Sequence, residues 1–252
     1  MPQVRTRLLL GAVALLAPLA VVTHPPAAVL ASASSTQSGR DAYDWHVLVA
    51  GPERIALGAE RSGRVVLRGA NPSGLPIADW NRRQVLTRSG GAESTDQQVC
   101  ATWRSQSTDG VQQGLAVRVH GGTSGGRQRA ITLTKNTFAG YYWVFNLLSW
   151  DSRRPGDPWR EVGQFDLGEV LVRDGHWLPL PWRVCLRADG RTVSFKVWLP
   201  REEPEPPWDD QAHVRQARVP ARFVMRGRPG WYVGHLPAGQ EISYTGLSTT
   251  PS

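Results

Sequence analysis

An all-β, two-sheet antiparallel β-sandwich is the fold this chain predicts, and three observations carry the prediction. The segment Pro181–Leu199, PWRVCLRADGRTVSFKVWL, alternates apolar and polar residues on both sides of Asp189-Gly190, a pair that tolerates the positive φ of a tight hairpin turn. Beyond Asp41, short apolar alternations recur between Gly, Pro, Asn and Asp, and no helical periodicity lasts three turns. About a dozen such runs in about 210 residues are too many for one layer, so two sheets must pack face to face.

In chain order, residues 1–33 read as a secretory signal peptide. Arg5 and Arg7 precede the apolar run Leu8–Val22, and small residues end at Ala31-Ser32-Ala33. The run is shorter than the ~18 to 20 residues of a spanning helix and contains Pro18, so no stable membrane insertion is expected after cleavage. Residues 34–40, SSTQSGR, form a flexible leader, and 41–252 a single sandwich domain. Strands are expected at 45–49, 64–68, 84–88, 98–105, 114–120, 130–135, 141–150, 163–167, 170–173, 182–188, 192–199, 221–225, 231–235 and 242–247. In the hairpin, Asp189-Gly190 at the turn would set Leu186 against Val193, Val184 against Phe195 and Trp182 against Val197 on a buried face. The opposite face, with Arg183, Arg187, Thr192, Ser194 and Lys196, would be wet. Tyr141–Trp150, YYWVFNLLSW, is apolar on both faces, which predicts a central strand whose far side is also partly dry. REEPEPP at 201–207 predicts an exposed, extended loop, since proline lacks the ladder donor.

The 252 residues carry 29 Lys and Arg against 21 Asp and Glu, and only Lys135 and Lys196 are lysines. No block of like charge is long enough for a nucleic-acid groove, whereas a basic surface suits anionic cell-envelope polymers. Cys100 and Cys185 both fall on the polar side of their strands, as expected of neighbouring strands in one sheet. A disulfide between them would close 85 residues and contribute roughly 4–5 kcal/mol in the chain-entropy picture. Such a bridge indicates a secreted or envelope-associated protein. With no C-x-x-C pair and scattered histidines, no metal or other cofactor is expected, and the protein is expected to be a monomer.

The C-terminal half carries a resemblance. A strand with Trp182 and Arg187, the turn Asp189-Gly190, a strand ending KVW at Trp198, a loop with Glu205-Pro206 and Trp208, then GWYVG and a last strand together resemble concanavalin A-like, laminin-G-like jelly rolls of secreted bacterial proteins, over about 65 residues. That resemblance implies a jelly-roll architecture. It does not choose among lectins, sugar-binding modules, β-glucanases and adhesion domains.

Retaining β-glucanases of that fold carry E-x-D-x-x-E, with two carboxyl groups about 5 to 5.5 Å apart as nucleophile and acid. Here Gln164, Asp166 and Glu169 occupy the three places, and an amide cannot attack, so no catalytic residue is assigned. Gly122–Gly126 satisfies G-x-S-x-G, but an alternating strand follows where a nucleophile elbow needs a helix. Asp151 and Asp157 read as turn residues rather than calcium ligands.

Eleven tryptophans are the other surplus. Trp103, Trp182 and Trp231 have apolar neighbours at strand spacing and belong to the core. Trp143, Trp150 and Trp198 are candidates to stack on the C–H face of a pyranose, with Asn146, Gln164 and Asp166 to fix its hydroxyls. The expectation is non-catalytic binding of a polysaccharide or cell-envelope glycan. A carbohydrate-active enzyme and an envelope protein-interaction module are the alternatives.

Overall fold

The computed structural model describes residues 42–77, 80–121, 126–138 and 140–251. The expected signal peptide (1–33), the leader (34–40) and residues 122–125 of the G-x-S-x-G motif lie outside them. Strands β1 (Tyr43–Val49), β2 (Arg54–Arg61), β3 (Arg64–Ala70), β4 (Arg83–Arg88), β5 (Gln97–Gln106), β6 (Gln112–His120), β7 (Arg129–Lys135), β8 (Val144–Asp151) and β9 (Trp159–Asp166) are followed by the single-turn helix α1 (Gly168–Leu171). A short ribbon, β10 (Val172–Arg173) and β11 (His176–Trp177), precedes β12 (Trp182–Asp189), β13 (Thr192–Trp198), β14 (Val214–Arg218), β15 (Arg228–Gly234) and β16 (Glu241–Pro251).

These strands form two seven-stranded sheets, ordered β1-β4-β15-β6-β7-β8-β9 and β14-β13-β12-β5-β16-β3-β2. Every strand pair within them is antiparallel. The chain crosses between layers after β1, β3, β4, β5, β9, β14 and β15, the jelly-roll way of building a sandwich.

Between the layers, period-two alternation delivers one face of each strand to a common core. Trp103, Leu115, Ile131, Leu133, Phe145, Leu147, Val184, Leu186, Phe195, Val197, Trp231 and Val233 are all buried there. Phe145 stacks on Trp103 and on Phe195, each with ring centroids 5.6 Å apart, so aromatic contacts run from one sheet to the other. Trp103, Trp182 and Trp231 are core residues as expected.

The β12–β13 hairpin keeps its predicted faces with a corrected register. Asp189 pairs with Thr192, Leu186 with Phe195 and Val184 with Val197, so the turn is centred on Gly190-Arg191 rather than on Asp189-Gly190. Gly190 takes φ 49° at the first central position, where a residue with a Cβ is disfavoured. The shift is two residues, and a two-residue shift leaves each side chain on its own face. Behind the turn, the fully buried Arg118 donates from Nε to Thr95 O at 2.6 Å and from Nη1 to Phe223 O at 3.1 Å. Its Nη2 reaches Gly190 O at 2.5 Å.

The first sheet is curled rather than flat. Arg83 on β4 lies 5.6 Å from the Trp150 ring on β8, although β15, β6 and β7 run between them. Four strand spacings would place those strands about 19 Å apart in a flat sheet. His46 on β1 similarly reaches Gln128, next to β7, at 3.3 Å. The outer face is therefore concave, and its residues Leu48, Val85, Ala116, Ala130, Leu148, Trp150 and Tyr232 form a second buried cluster. The far side of β8 is dry, as its sequence predicts.

Five further expectations are corrected. Residues 221–223 form a 3₁₀ turn, and the strand in that region is β14, at the sheet edge. Residues 141–143 belong to the β7–β8 loop, and 168–171 form α1. The Pro-rich segment is not simply extended in solvent but folds onto the outer face of the second sheet. Lys196 Nζ donates to Pro206 O at 2.6 Å and pairs with Glu205 at 2.8 Å. Ser194 and Lys196, expected on a wet face, are buried. On that face Cys100 and Cys185 stand directly opposite each other and form a disulfide, packed with Trp198 and Trp208.

Candidate functional site

Of the six residues proposed from sequence to meet a ligand, the fold gathers four at the start of β8. Asn146 and Gln164 are direct partners across β8 and β9, on the outer face, and Gln164 Nε2 donates to Asn146 Oδ1 at 3.0 Å. That bond leaves the Asn146 NH₂ and the Gln164 carbonyl oxygen for another partner, a donor beside an acceptor. Asp166 sits opposite Val144, and its Oδ1 accepts the Gly168 N–H at 2.6 Å, so this carboxylate holds the entry to α1. Trp143 is half-buried against the main core, and its carbonyl accepts the Leu167 N–H at 3.1 Å.

The loop leading into β8 adds two residues that sequence reasoning missed. Phe138 and Tyr141 are 61% and 54% exposed and, with Leu75, are the most exposed large apolar side chains among the described residues. Both rings are held in place. Tyr141 meets Trp143 edge-on at 5.6 Å, and Phe138 meets His235 edge-on at 5.8 Å. Asn136 shapes the loop by donating to Phe138 O at 3.0 Å and accepting the Phe138 N–H at 3.2 Å. An Asx turn followed by Gly140 at φ 76° was the readable signal that 136–143 is a loop presenting its aromatics, not the start of a strand.

Beneath this rim lies Lys135, with 1% of its surface exposed. Its Nζ donates to Asp109 O at 2.9 Å and sits 5.1 Å from the Tyr142 ring. Burial pushes its pKa down to about 8, opposed by the nearby Asp109 carboxylate.

Trp150 and Trp198 do not join the rim, which corrects their assignment as stacking residues. Trp150 closes the concave side of the first sheet, where Nε1 donates to Thr132 Oγ1 at 2.7 Å and only 1% of the residue is exposed. Trp198 lies on the other sheet against the disulfide, under the 199–213 segment. Neither indole has a free face to offer a sugar, because curl buries one and a folded-back loop buries the other.

The opposite end of β8 is electrostatically different. Asp151 receives the Arg127 guanidinium through both carboxylate oxygens, and the Arg153 N–H at 3.2 Å. The Arg127 hydrogen bonds hold its carboxyl down at about 2. A separate opening of about 310 Å³ lies where the edge strands β1 and β2 face each other, lined by Trp45, Arg54, Ile55, Leu57, Arg82 and Gln84. Arg82 is already committed there, donating to Gln84 Oε1 at 3.0 Å and Gly51 O at 3.1 Å.

No protein-family profile matches the chain, and no curated protein sequence resembles it significantly. Solved structures do. A Bacillus subtilis protein of unknown function with a galectin-like fold aligns over 86% of this chain and 92% of its own, at 12% identity and a TM-score of 0.49. The carbohydrate-binding module CBM66 from Bacillus subtilis aligns over 83% and 96%, at 9% identity and a TM-score of 0.48. A prokaryotic β-1,3-1,4-glucanase derived from a mouse hindgut metagenome aligns over 82% and 93%, at 11% identity and a TM-score of 0.45. At such identities the likeness concerns architecture alone.

Proposed function

We propose that the protein binds a polysaccharide or cell-envelope glycan outside the cell, without cleaving it, at the rim where the β7–β8 loop meets the start of β8 and β9. The observation that carries this reading is the pairing of exposed, immobilised Phe138 and Tyr141 rings with the Asn146–Gln164 amide pair at the same end of β8. An aromatic face supplies apolar contact to the C–H face of a pyranose, and the side-by-side amide donor and acceptor suit vicinal hydroxyls. Trp143 positions Tyr141 from below. The disulfide supports an oxidising compartment. Absence of cleavage rests on Gln164, which has no nucleophilic oxygen, and on Asp166, whose carboxylate is tied to the Gly168 N–H.

Affinity electrophoresis through gels containing a panel of neutral β-glucans, mannans and xylans tests the site. Retardation of the wild type by at least one polymer, lost in Phe138→Ala/Tyr141→Ala with an unchanged melting temperature, is the expected result. Migration unaffected by every polymer, or retardation that survives the double substitution, would overturn it.

A further inference from the structure

At the far end of β8 we infer a second binding surface, an arginine cluster that takes the anionic groups of an acidic polysaccharide. Fold and sequence converge on it from four segments. Arg129 opens β7 directly opposite Asp151, and Arg127 lies two residues earlier, paired with that carboxylate. Arg153 and Arg154 occupy the turn that follows, where Arg154 N–H donates to Asp151 O at 2.9 Å. Arg160 begins the return along β9 opposite Ser149, and Arg222 arrives from the 3₁₀ turn, its carbonyl accepting from Arg129 Nη2. The acids nearby are Asp151, which Arg127 occupies, Asp157 in the turn, and Glu161 one step along β9.

Six guanidinium groups against three carboxylates leave local positive charge that internal pairing does not consume. Arg129 Nε and Arg154 Nη2 are buried donors without a hydrogen-bond partner, so internal hydrogen bonding does not saturate the cluster. Burial, with Arg160 and Arg222 close by, holds Arg154 below the usual guanidinium range. Arg153, Arg160 and Arg222 are exposed.

The chemistry recognised is the planar oxyanion. Arginine forks match carboxylate and phosphate groups two bonds at a time. An exposed turn rimmed by guanidinium groups accommodates a short run of charged sugars. It offers no charged groove lined with successive aromatic platforms, the arrangement that tracks a nucleic-acid strand. The surface is separate from the aromatic rim and stands without it.

Two charge-matched triple variants of the full chain decide the matter: Arg153→Ser/Arg160→Ser/Arg222→Ser, and Arg61→Ser/Arg104→Ser/Arg201→Ser at exposed positions elsewhere. Binding to immobilised polygalacturonate, to poly(glycerol phosphate) and to single-stranded DNA is measured at low and high salt, with neutral pullulan as the blank. The expected result is salt-sensitive retention of the wild type by polygalacturonate or by poly(glycerol phosphate), which separates the carboxylate from the phosphate source. The first triple should weaken that retention about tenfold, and the second by no more than twofold. Equal losses in the two triples would show net charge rather than a site. Failure of the wild type to bind either polyanion, or tighter retention on DNA than on both, would overturn the inference equally.

Discussion

The two ends of β8 share a strand and little else. At the Val144 end Phe138, Tyr141, Asn146, Gln164 and one exposed carboxylate, Asp166, gather near a single buried lysine. At the Asp151 end arginines surround one committed aspartate. Seven strand steps, about 23 Å, separate the ends. Between them the strand is sealed on both faces, by the main core through Phe145 and Leu147 and by the concave cluster through Leu148 and Trp150. The contrast teaches that in this sandwich solvent-facing chemistry belongs to strand ends, where loops supply it, and packing belongs to strand middles.

The largest effect that sharpens this contrast comes from aromatic deletions. Trp150→Ala should cost about 3–5 kcal/mol, since a buried indole, its bond to Thr132 and its Arg83 contact all go. Phe138→Ala and Tyr141→Ala should each change stability by less than about 0.5 kcal/mol. Urea unfolding of the three variants checks this, and comparable costs would erase the distinction between middle and end.

Alkaline titration addresses the Val144 end. Lys135 loses its proton near pH 8 in the folded protein and near 10.5 when unfolded, so over that interval the unfolded chain holds the extra proton. Stability should therefore rise from about pH 8 towards pH 10, by about 1–2 kcal/mol before tyrosines begin to titrate. Lys135→Met should flatten the rise in the urea midpoint. A rise of equal size in that variant would locate the effect elsewhere.

Acid acts on the other end with a smaller amplitude. Asp151 is held at about 2 against an ordinary 3.8, so its contribution is complete above the unfolded value and disappears as the pH falls through the folded one. Arg127 is 44% exposed, so solvent screening limits the contribution to about 1 kcal/mol. Asp151→Asn should be less stable than wild type by that amount near neutrality, with the gap closing between about pH 4 and pH 2. A gap that persists in strong acid would mean that packing, not the ion pair, is what the substitution removes.

Sequence alternation revealed what depends on which face a residue occupies. It assigned Trp103, Trp182 and Trp231 to the core and set Cys100 and Cys185 on one polar face, because a strand has a period of two whatever its neighbours do. Even the misplaced hairpin turn preserved Val184 and Phe195 in the core, since the error was an even number of residues. The two edge strands of the second sheet were illegible. Arg54–Arg61 and Val214–Arg218 bury too few side chains to alternate visibly. Trp150 and Trp198 were misread for a deeper reason, as their burial comes from sheet curl and from a segment that folds back, which are relations between distant parts of the chain. Asn146 and Gln164 were singled out by residue type and the fold sets them side by side, whereas Phe138 was not singled out because a lone loop aromatic has no periodic partner.

The curl of the first sheet reaches beyond packing. A strand layer clothed in oil on both sides cannot be hollowed into a cleft without removing side chains on which the molecule depends, so selection for new specificities is channelled to the turns. The loops that present Tyr141 and Arg153 carry the solvent-facing chemistry, while Ala116, Thr132 and Tyr232 stay captive to the shape they fill.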